Sequence, residues 1–235
     1  PDEYEEFLSD ILSFEDDSQK PQENTHSFTY KNEKISTDFE LTNDQSEALR
    51  KLIDFSEKDG YQAITLNGPA GTGKTTIISY LEKYLKPKGF TFVYMAPTHA
   101  ATVELAFSIL KSGNKFLPST IASGIKTSVN RETGVKEQSF SKKITDRLGY
   151  NNIIVIDELS MVNSEDYDSL KKVARQSGVK LIFMGDVLQI PEVTPSNPKE
   201  KQVSKGFSES EHDQVYLTEI KRDRKSTRLN SSHRT

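Results

Sequence analysis

The sequence predicts an α/β domain built around a mainly parallel central sheet. Short apolar runs alternate with segments of helical periodicity from residue 41 to residue 185, which is the order of strands and helices in such sheets. The run from Ile153 to Ile156 is apolar at every position, as in strands that are buried on both faces of a parallel sheet. A glycine-rich loop also separates the first apolar run from the helical segment after it.

Four segments have apolar residues at helical spacing. The first begins at Thr42-Asn43-Asp44-Gln45, where Thr42 and Gln45 fit a capping box. The second follows the glycine-rich loop to about Leu85, and the third runs from Thr98 to Leu110. A fourth can be capped by Ser164. The residues on the predicted buried faces of the first and fourth helices are Ala48, Leu49, Leu52, Ile53, Tyr167, Leu170 and Val173.

The predicted strands are the short apolar runs between these helices, and they cover Ala63 to Leu66, Phe90 to Met95, Ile153 to Ile156 and Lys180 to Met184. The alternation lapses over about 112–148, which we interpret as an insert. Within it, Ser128 to Phe140 alternates loosely around Glu132-Thr133-Gly134 and predicts a β-hairpin. An ordinary surface loop is the alternative interpretation.

Both ends of the chain differ in composition from its middle. Residues 1–40 contain 12 Asp and Glu against 3 Lys, which predicts an acidic, largely disordered leader in preference to a docking peptide. A short amphipathic helix from Tyr4 to Leu12 is compatible with it. Residues 223–235 match the in-frame translation of a common sequencing adapter, so we interpret them as an artefact tail and not as a basic nucleic-acid-binding tail. The predicted domain is therefore 41–222.

Composition excludes several functional classes. Hydrophobic residues make up 34% and charged residues 28% of the 235, as in soluble globular proteins. No apolar run approaches the roughly 18 residues that span a bilayer, and no secretory signal is visible, so we expect a cytoplasmic protein. The absence of Cys excludes a disulfide framework, a thiol nucleophile and a Cys-based zinc site. The net charge of 41–222 is only +2, which by itself does not indicate nucleic-acid binding.

A nucleotide-triphosphate site is predicted at Gly68-Pro69-Ala70-Gly71-Thr72-Gly73-Lys74-Thr75, which matches G-x-x-x-x-G-K-[ST] between a strand and a helix. The glycines let the backbone curl so that its N–H groups face phosphate oxygens. Lys74 supplies a positive charge at the β- and γ-phosphates, and the Thr75 hydroxyl is a ligand for Mg²⁺. The following helix directs its positive end at the same anion.

Carboxylates follow the apolar strand that ends at Ile156. Asp157 is placed to hold Mg²⁺ through its hydration shell, and Glu158 to orient or deprotonate the attacking water. Gln189, just after the next predicted strand, is placed to contact the γ-phosphate. A simple turn after that strand is the alternative for Gln189.

Five segments occur in a fixed order, namely Asn67 to Thr76, Ala96 to Ala101, Ile156 to Met161, Gly185 to Ile190 and Leu217 to Arg222. Together they resemble superfamily 1 DNA helicases of the RecD/Dda type over about residues 41–222. The resemblance implies a RecA-like P-loop NTPase domain with a small inserted β-hairpin subdomain, ATP and Mg²⁺ as cofactors, and single-stranded DNA as partner. It also implies a function in DNA replication, recombination or repair, which the sequence does not separate.

The resemblance assigns further roles residue by residue. Gln45 matches the glutamine that recognises adenine, and Thr76 closes the phosphate-binding segment. Pro97, Thr98 and His99 match the segment that grips single-stranded DNA, and Ser119 and Thr120 match the next DNA-contacting motif, where Ala122 replaces a common His. Arg222 matches an arginine that reaches the γ-phosphate. Phe140 lies where relatives carry the duplex-splitting pin and can stack on a base, although a packed aromatic is the equal alternative.

The expected function is therefore an ATP-dependent DNA helicase motor that moves 5′ to 3′ on single-stranded DNA in a bacterial or phage-infected cell. We expect the chain to be a fragment without the C-terminal RecA-like lobe, which binds ATP weakly and hydrolyses it poorly. Two alternatives remain open at this stage. One is a P-loop ATPase that does not act on DNA, and the other is a non-catalytic ATP- and DNA-binding fragment.

Overall fold

The structure is a computed structural model, and it describes residues 26–110, 117–187, 192–193, 201–202 and 213–219. The strands are β1 His26–Tyr30, β2 Glu33–Thr37, β3 Ala63–Asn67, β4 Phe90–Ala96, β5 Ser119–Thr120, β6 Ile125–Val129, β7 Lys136–Phe140, β8 Asn151–Ile156, β9 Lys180–Gly185, β10 Glu192–Val193, β11 Lys201–Gln202 and β12 Asp213–Tyr216. The helices are α1 Asn43–Glu57, α2 Lys74–Leu85, α3 His99–Leu110, α4 Ile121–Gly124, α5 Lys142–Thr145 and α6 Ser164–Ser177, with 3₁₀ turns at Lys86–Lys88 and Leu159–Met161.

The central sheet has six strands in the order β12-β3-β9-β8-β4-β5. Every neighbouring pair is parallel. The predicted α/β class with a mainly parallel sheet is therefore confirmed. The chain enters the sheet at the interior strand β3 and adds strands on both sides of it, and helices lie in the connections from β3 to β4, from β4 to β5 and from β8 to β9.

Successive strand residues alternate between two apolar clusters, so the sheet is covered on both faces. In β8, Ile153 and Val155 belong to one cluster, whereas Ile154 and Ile156 belong to the other. The first cluster includes the apolar sides of α1, α2 and α3. The second includes the buried side of α6 and the base of the β6–β7 hairpin. The run Ile153–Ile156 of β8 is apolar at every position because both faces of that strand are buried.

The predicted helices and strands are present, with small differences at their ends. The capping box of α1 is formed, because the Thr42 hydroxyl accepts the Gln45 N–H and the Gln45 amide oxygen accepts the Thr42 N–H. The cap of α6 is Asn163, whose side chain accepts from the Asp166 N–H, and not Ser164 as the sequence suggested. Asn is as good an N-cap as Ser, so sequence preference alone cannot choose between adjacent candidates.

The segment that precedes α1 is an antiparallel hairpin, where sequence periodicity indicated no structure. Strands β1 and β2 pair from His26↔Thr37 to Tyr30↔Glu33. Phe28 is buried in the first apolar cluster, and the Tyr30 hydroxyl donates to Asp54 of α1 at 2.8 Å. Part of the segment predicted as a disordered leader is therefore folded against the domain, and the remaining positions, 1–25, lie outside the described residues.

The predicted hairpin in the insert is present and begins three residues earlier than expected. Strands β6 and β7 pair in antiparallel register from Ile125↔Phe140 to Val129↔Lys136. The hairpin lies against α6, where the Gln138 side-chain amide donates to the Ser169 hydroxyl at 2.9 Å. Over the part of the chain that the structure describes, no helix is both long and apolar enough to cross a membrane.

Candidate functional site

The predicted phosphate loop and carboxylates meet at one edge of the sheet. The register pairs Asn67 of β3 with Gly185 of β9, and Ile156 of β8 with Phe183 of β9. The carboxyl ends of these three strands are therefore neighbours, with β9 in the middle. Ligands of open α/β sheets bind outside the carboxyl ends of the strands, so this edge is the candidate site.

The glycine-rich loop leads directly into α2. Gly71 and Gly73 have φ values of +81° and +90°, in the left-handed region that glycine adopts without strain. Gly73 is the N-cap of α2, and no side chain caps its first turn. The first N–H groups of that helix are therefore available to an anion, and the helix dipole favours negative charge at the same place.

Lys74 is half-buried at the start of α2, and its side chain contacts the first residues of the phosphate loop. Its ammonium donates to the carbonyl oxygens of Gly68 at 2.5 Å and Pro69 at 3.2 Å. Burial lowers the pKa of Lys74, and negative charge nearby acts in the opposite direction. That charge comes from the carboxylates of Asp157, Asp186 and Glu158. The lysine of the phosphate loop and the acidic strand ends therefore share one electrostatic environment.

Asp157 and Glu158 follow β8, and the backbone of Glu158 is strained. The Asp157 N–H donates to the Met95 carbonyl at 3.0 Å, which extends the β4–β8 pairing by one residue. Glu158 has a φ of +53°, unusual for a residue with a Cβ, and its N–H donates to the Asp157 carboxylate at 2.9 Å. Strain of this kind is concentrated at functional sites, where the surrounding structure holds it in place.

Burial raises the pKa of Asp157 and also that of Glu158. The charge of Asp157 adds to the rise in the pKa of Glu158, and the exposed Glu104 of α3 contributes to the shifts of both. Lys74 opposes each shift but does not reverse it. The site therefore has an excess of negative charge that a cation would relieve.

Gln45 connects α1 to the phosphate loop. Its side chain is 2% exposed, and its amide nitrogen donates to the Thr72 carbonyl at 2.9 Å. The amide oxygen accepts the Thr42 N–H at 3.1 Å, as part of the capping box. Both ends of the side chain thus have protein partners, and the adenine contact implied by the resemblance stays a prediction.

The residues predicted to bind DNA lie at the carboxyl ends of β4 and β5, beside the nucleotide edge. Thr98 caps α3, because its hydroxyl accepts the Ala101 N–H at 3.1 Å. Pro97 is half-buried and His99 is exposed. Ser119 and Thr120 pair with the end of β4 and are buried. The structure therefore brings these positions together as a strip, which we call the β4–β5 strip, in which His99 has the most exposed side chain.

Phe140 does not have the geometry expected for base stacking. Its side chain is only 7% exposed, and it belongs to the apolar cluster beneath the hairpin. A ring needs an open face to stack on a base, so the packed alternative describes this residue. The two large apolar side chains exposed near the hairpin turn are instead Val129 and Val135.

Two predicted site residues, Gln189 and Arg222, lie outside the described residues. Sequence reasoning also missed three carboxylates near the site, namely those of Asp186, Glu104 and Asp44. Asp186 follows the apolar strand β9, as Asp157 follows β8, so its position after a buried strand was an available signal. Neither Glu104 nor Asp44 gave such a signal, because their relation to the site depends on tertiary contacts.

Comparison with known proteins extends these observations. A family model described as an AAA domain matches residues 40–235. The ATP-dependent DNA helicase Dda of Enterobacteria phage T4 is 31% identical over 184 residues, which cover 78% of this chain and 40% of that protein. The ATP-dependent DNA helicase PIF1 of Xenopus laevis is 30% identical over 174 residues, which cover 68% of this chain and 25% of that protein.

An uncharacterised protein of Acanthamoeba polyphaga mimivirus is 33% identical over 161 residues, which cover 61% of this chain and 32% of that protein. The chain thus spans between a quarter and two fifths of the length of these curated relatives. The part of the chain that the family model matches contains the phosphate loop and the β8 carboxylates.

Proposed function

Because the chain belongs to the AAA domain family and is related over most of its length to ATP-dependent DNA helicases, we propose that it is the ATP-binding motor lobe of a DNA helicase. The observation that carries the proposal is the shared environment of Lys74 and the acidic ends of β8 and β9. A phosphate loop facing carboxylates across a neighbouring strand is the arrangement that phosphoryl transfer to water requires.

Mg²⁺ fits the residues at this edge. Thr75 and Asp157 would hold it, together with water and phosphate oxygens, which is how Mg²⁺ is usually bound at nucleotide sites. Within the described ranges no group of three or more His, Asp or Glu side chains forms a metal site made of protein alone. The excess negative charge around Asp157 favours a divalent cation. When bound, the metal would neutralise charge on the β- and γ-phosphates.

Different side chains of this chain would bind the phosphates, activate the attacking water and contact the γ-phosphate. Lys74 would leave the carbonyls of Gly68 and Pro69 and place its charge on the β- and γ-phosphates. Glu158 would orient the attacking water and accept its proton, for which its raised pKa brings it closer to neutral pH. By resemblance, Gln189 would sense the γ-phosphate and Arg222 would stabilise charge that develops on it.

The nucleotide base and the DNA would occupy neighbouring positions along the same edge. Gln45 would recognise adenine with the hydrogen-bonding capacity that its capping and loop contacts leave over, since an amide oxygen has two lone pairs and its nitrogen two hydrogens. The β4–β5 strip would bind single-stranded DNA, with His99 offering its side chain. Because Ser119 and Thr120 are buried, their contribution would come from backbone groups. Movement would be 5′ to 3′, as the resemblance implies.

The proposal is tested by nucleotide and DNA binding on the same preparation. We expect the chain to bind a fluorescent ATP analogue with Mg²⁺, and Lys74→Ala to weaken that binding about 100-fold. Lys83→Ala, which changes an exposed lysine at the other end of α2, is the matched control and leaves the affinity unchanged. ATP binding that does not depend on Lys74 would contradict the proposal.

Single-stranded DNA separates the helicase lobe from a P-loop ATPase that does not act on DNA. We expect a labelled oligothymidylate to bind and to increase whatever ATP turnover the chain has. An ATPase that functions away from DNA would bind nucleotide in the same Lys74-dependent manner, but it would show neither DNA binding nor stimulation.

A further inference from the structure

The carboxylate of Asp44 joins two segments of the chain at the nucleotide edge. One oxygen accepts the Gln45 N–H at 2.7 Å and the Thr42 hydroxyl, within the first turn of α1. The other oxygen accepts the Thr218 N–H at 2.6 Å, the Glu219 N–H at 3.0 Å and the Thr218 hydroxyl at 3.3 Å. The carboxylate therefore holds two consecutive backbone groups of the segment that follows β12.

That segment, residues 217–219, lies directly behind the start of the phosphate loop. The Leu217 N–H donates to the Asn67 carbonyl at 2.7 Å, at the last residue of β3. A Cβ placed on Gly68 would lie 2.7 Å from the Leu217 carbonyl oxygen, closer than real Cβ contacts allow. The first glycine of the loop is thus in tight backbone contact with the segment that Asp44 holds.

The first turn of α1 also contacts the other end of the loop. The Gln45 amide nitrogen donates to the Thr72 carbonyl at 2.9 Å, and it lies 3.0 Å from the position that a Cβ on Gly73 would occupy. Residues 44 and 45 therefore bracket the phosphate loop, with Gln45 on its C-terminal part and Asp44 acting on its N-terminal part through residues 217–219.

We propose that Asp44 is a positioning residue for nucleotide binding, which sets the shape of the phosphate loop by fixing residues 217–219 against Gly68. The proposal rests on the proposed function, in which this loop binds ATP. The helix cap does not explain the contacts of Asp44 with Thr218 and Glu219, because those N–H groups lie outside α1. The contacts to Thr218 and Glu219 bridge 174 and 175 positions of sequence.

Replacement of Asp44 by Asn tests the contact with little change in size. A carboxylate offers acceptor oxygens on both sides, whereas an amide offers one oxygen and one NH₂ group. In Asp44→Asn the NH₂ group must face N–H donors, either of Gln45 or of residues 218 and 219. One of the two sets of contacts is therefore lost. The matched control is Glu165→Gln, which removes an exposed acidic residue from the first turn of α6.

The first measurement is hydrogen exchange of the peptide that contains residues 213–219. We expect Asp44→Asn to speed exchange at the amides of Thr218 and Glu219, and Glu165→Gln to leave it as in the wild type. The second measurement is the Kd of a fluorescent ATP analogue with Mg²⁺, well below the melting temperature. Asp44→Asn should raise that Kd about tenfold, the equivalent of one hydrogen bond to a charged group.

A general loss of stability is separated from positioning by Phe28→Ala, which opens the core under the β1–β2 hairpin. This variant should melt earlier and yet keep the wild-type Kd. Asp44→Ala removes both acceptor oxygens, so an unchanged Kd or unchanged amide exchange in that variant would overturn the inference while the proposed function stands. A wild-type chain that does not bind the analogue, or that binds it equally well as Lys74→Ala, would overturn both.

Discussion

The charge around Asp157 would oppose folding stability and favour the cation of the proposed nucleotide site. Burial raises the pKa of its carboxyl group, so folding disfavours its charged form in the absence of a cation. Its carboxylate accepts the Glu158 N–H at 2.9 Å. Sites that bind charged ligands commonly retain such unfavourable groups.

Asp157→Asn should therefore stabilise the chain and impair its function. The amide oxygen can still accept the Glu158 N–H, while the buried charge is removed. We expect the melting temperature at pH 7 to rise by about 3 °C, which corresponds to roughly 1 kcal/mol for a domain of this size. The Mg²⁺-dependent part of nucleotide affinity should be lost. Glu132→Gln, at the exposed hairpin turn, should change neither quantity, and a lower melting temperature in Asp157→Asn would contradict this account.

Asp44 differs from Asp157, because the folded state lowers the pKa of Asp44 and raises that of Asp157. Burial on its own would raise its pKa, but the hydrogen bonds from Thr42, Glu219, Thr218 and Gln45 outweigh burial and lower the pKa from 3.8 to about 2. A carboxylate with a lowered folded-state pKa contributes stability that is complete above its unfolded pKa and is lost as the pH falls toward the folded pKa.

This linkage predicts how the effect of Asp44→Asn depends on pH. At neutral pH the variant should be less stable than the wild type by about 1–2 kcal/mol, a range reduced for solvent screening at a partly exposed position. The difference should shrink as the pH is lowered from about 5 to about 3. Urea unfolding at several pH values measures it. A difference that stays constant over this interval would show that the charge of Asp44 is not responsible.

Among the secondary-structure elements, the β1–β2 hairpin departs most from the sequence-based expectation. Phe28 is 5% exposed, and the hairpin is also connected to the domain by Lys31, whose ammonium lies 2.7 Å from Asp54 and 2.8 Å from Glu57 of α1. These ion pairs are solvent-exposed and contribute little by themselves. The buried ring should therefore supply most of the stability that the hairpin adds.

Phe28→Ala should lower the free energy of unfolding by about 3 kcal/mol, as expected for a buried phenylalanine. Val129→Ala in the β6–β7 hairpin is the natural comparison, because Val129 is 57% exposed and its truncation should cost less than about 0.5 kcal/mol. Chemical denaturation of both variants gives the two values. If Phe28→Ala were as mild as Val129→Ala, the hairpin would not be an integral part of the fold.

The sequence predicted those elements whose pattern is local. The run Ile153–Ile156 of β8 is apolar at every position, and the phosphate loop is a continuous motif, so both were identified and both contribute to the candidate site. The β1–β2 hairpin was missed because Phe28 is its only fully buried apolar residue, too few to give a periodic signal. The contact of Asp44 with Thr218 was missed for a different reason, since it joins positions 174 apart and depends on the parallel pairing of β12 with β3.

The whole molecule combines an acidic overall charge with a proposed DNA-binding edge. The net charge is −4 for all 235 residues, and only +2 for 41–222. Long-range attraction to a polyanion is therefore weak, so the proposed DNA binding would depend on a few local contacts along the β4–β5 strip. The strip lies next to the nucleotide edge. ATP binding or hydrolysis at that edge would therefore be able to alter how the strip holds DNA.

If the DNA makes only a few phosphate contacts, its affinity should depend weakly on salt concentration. For single strands, the logarithm of the binding constant falls with the logarithm of salt concentration with a slope of about −0.7 for each phosphate neutralised. Two such contacts would lower the affinity by less than about tenfold between 50 and 200 mM salt. Fluorescence anisotropy of a labelled oligothymidylate measures the slope.

Two variants test whether single-stranded DNA binds to the β4–β5 strip. His99→Ala should weaken DNA binding, because it removes the exposed side chain of the β4–β5 strip. Phe140→Leu should leave the affinity unchanged and lower the melting temperature, since Phe140 packs in the core and offers no face to a base. A slope several times steeper would mean that the DNA follows a broad basic surface instead of the β4–β5 strip. Loss of binding in Phe140→Leu, with His99→Ala unaffected, would place the DNA on the hairpin.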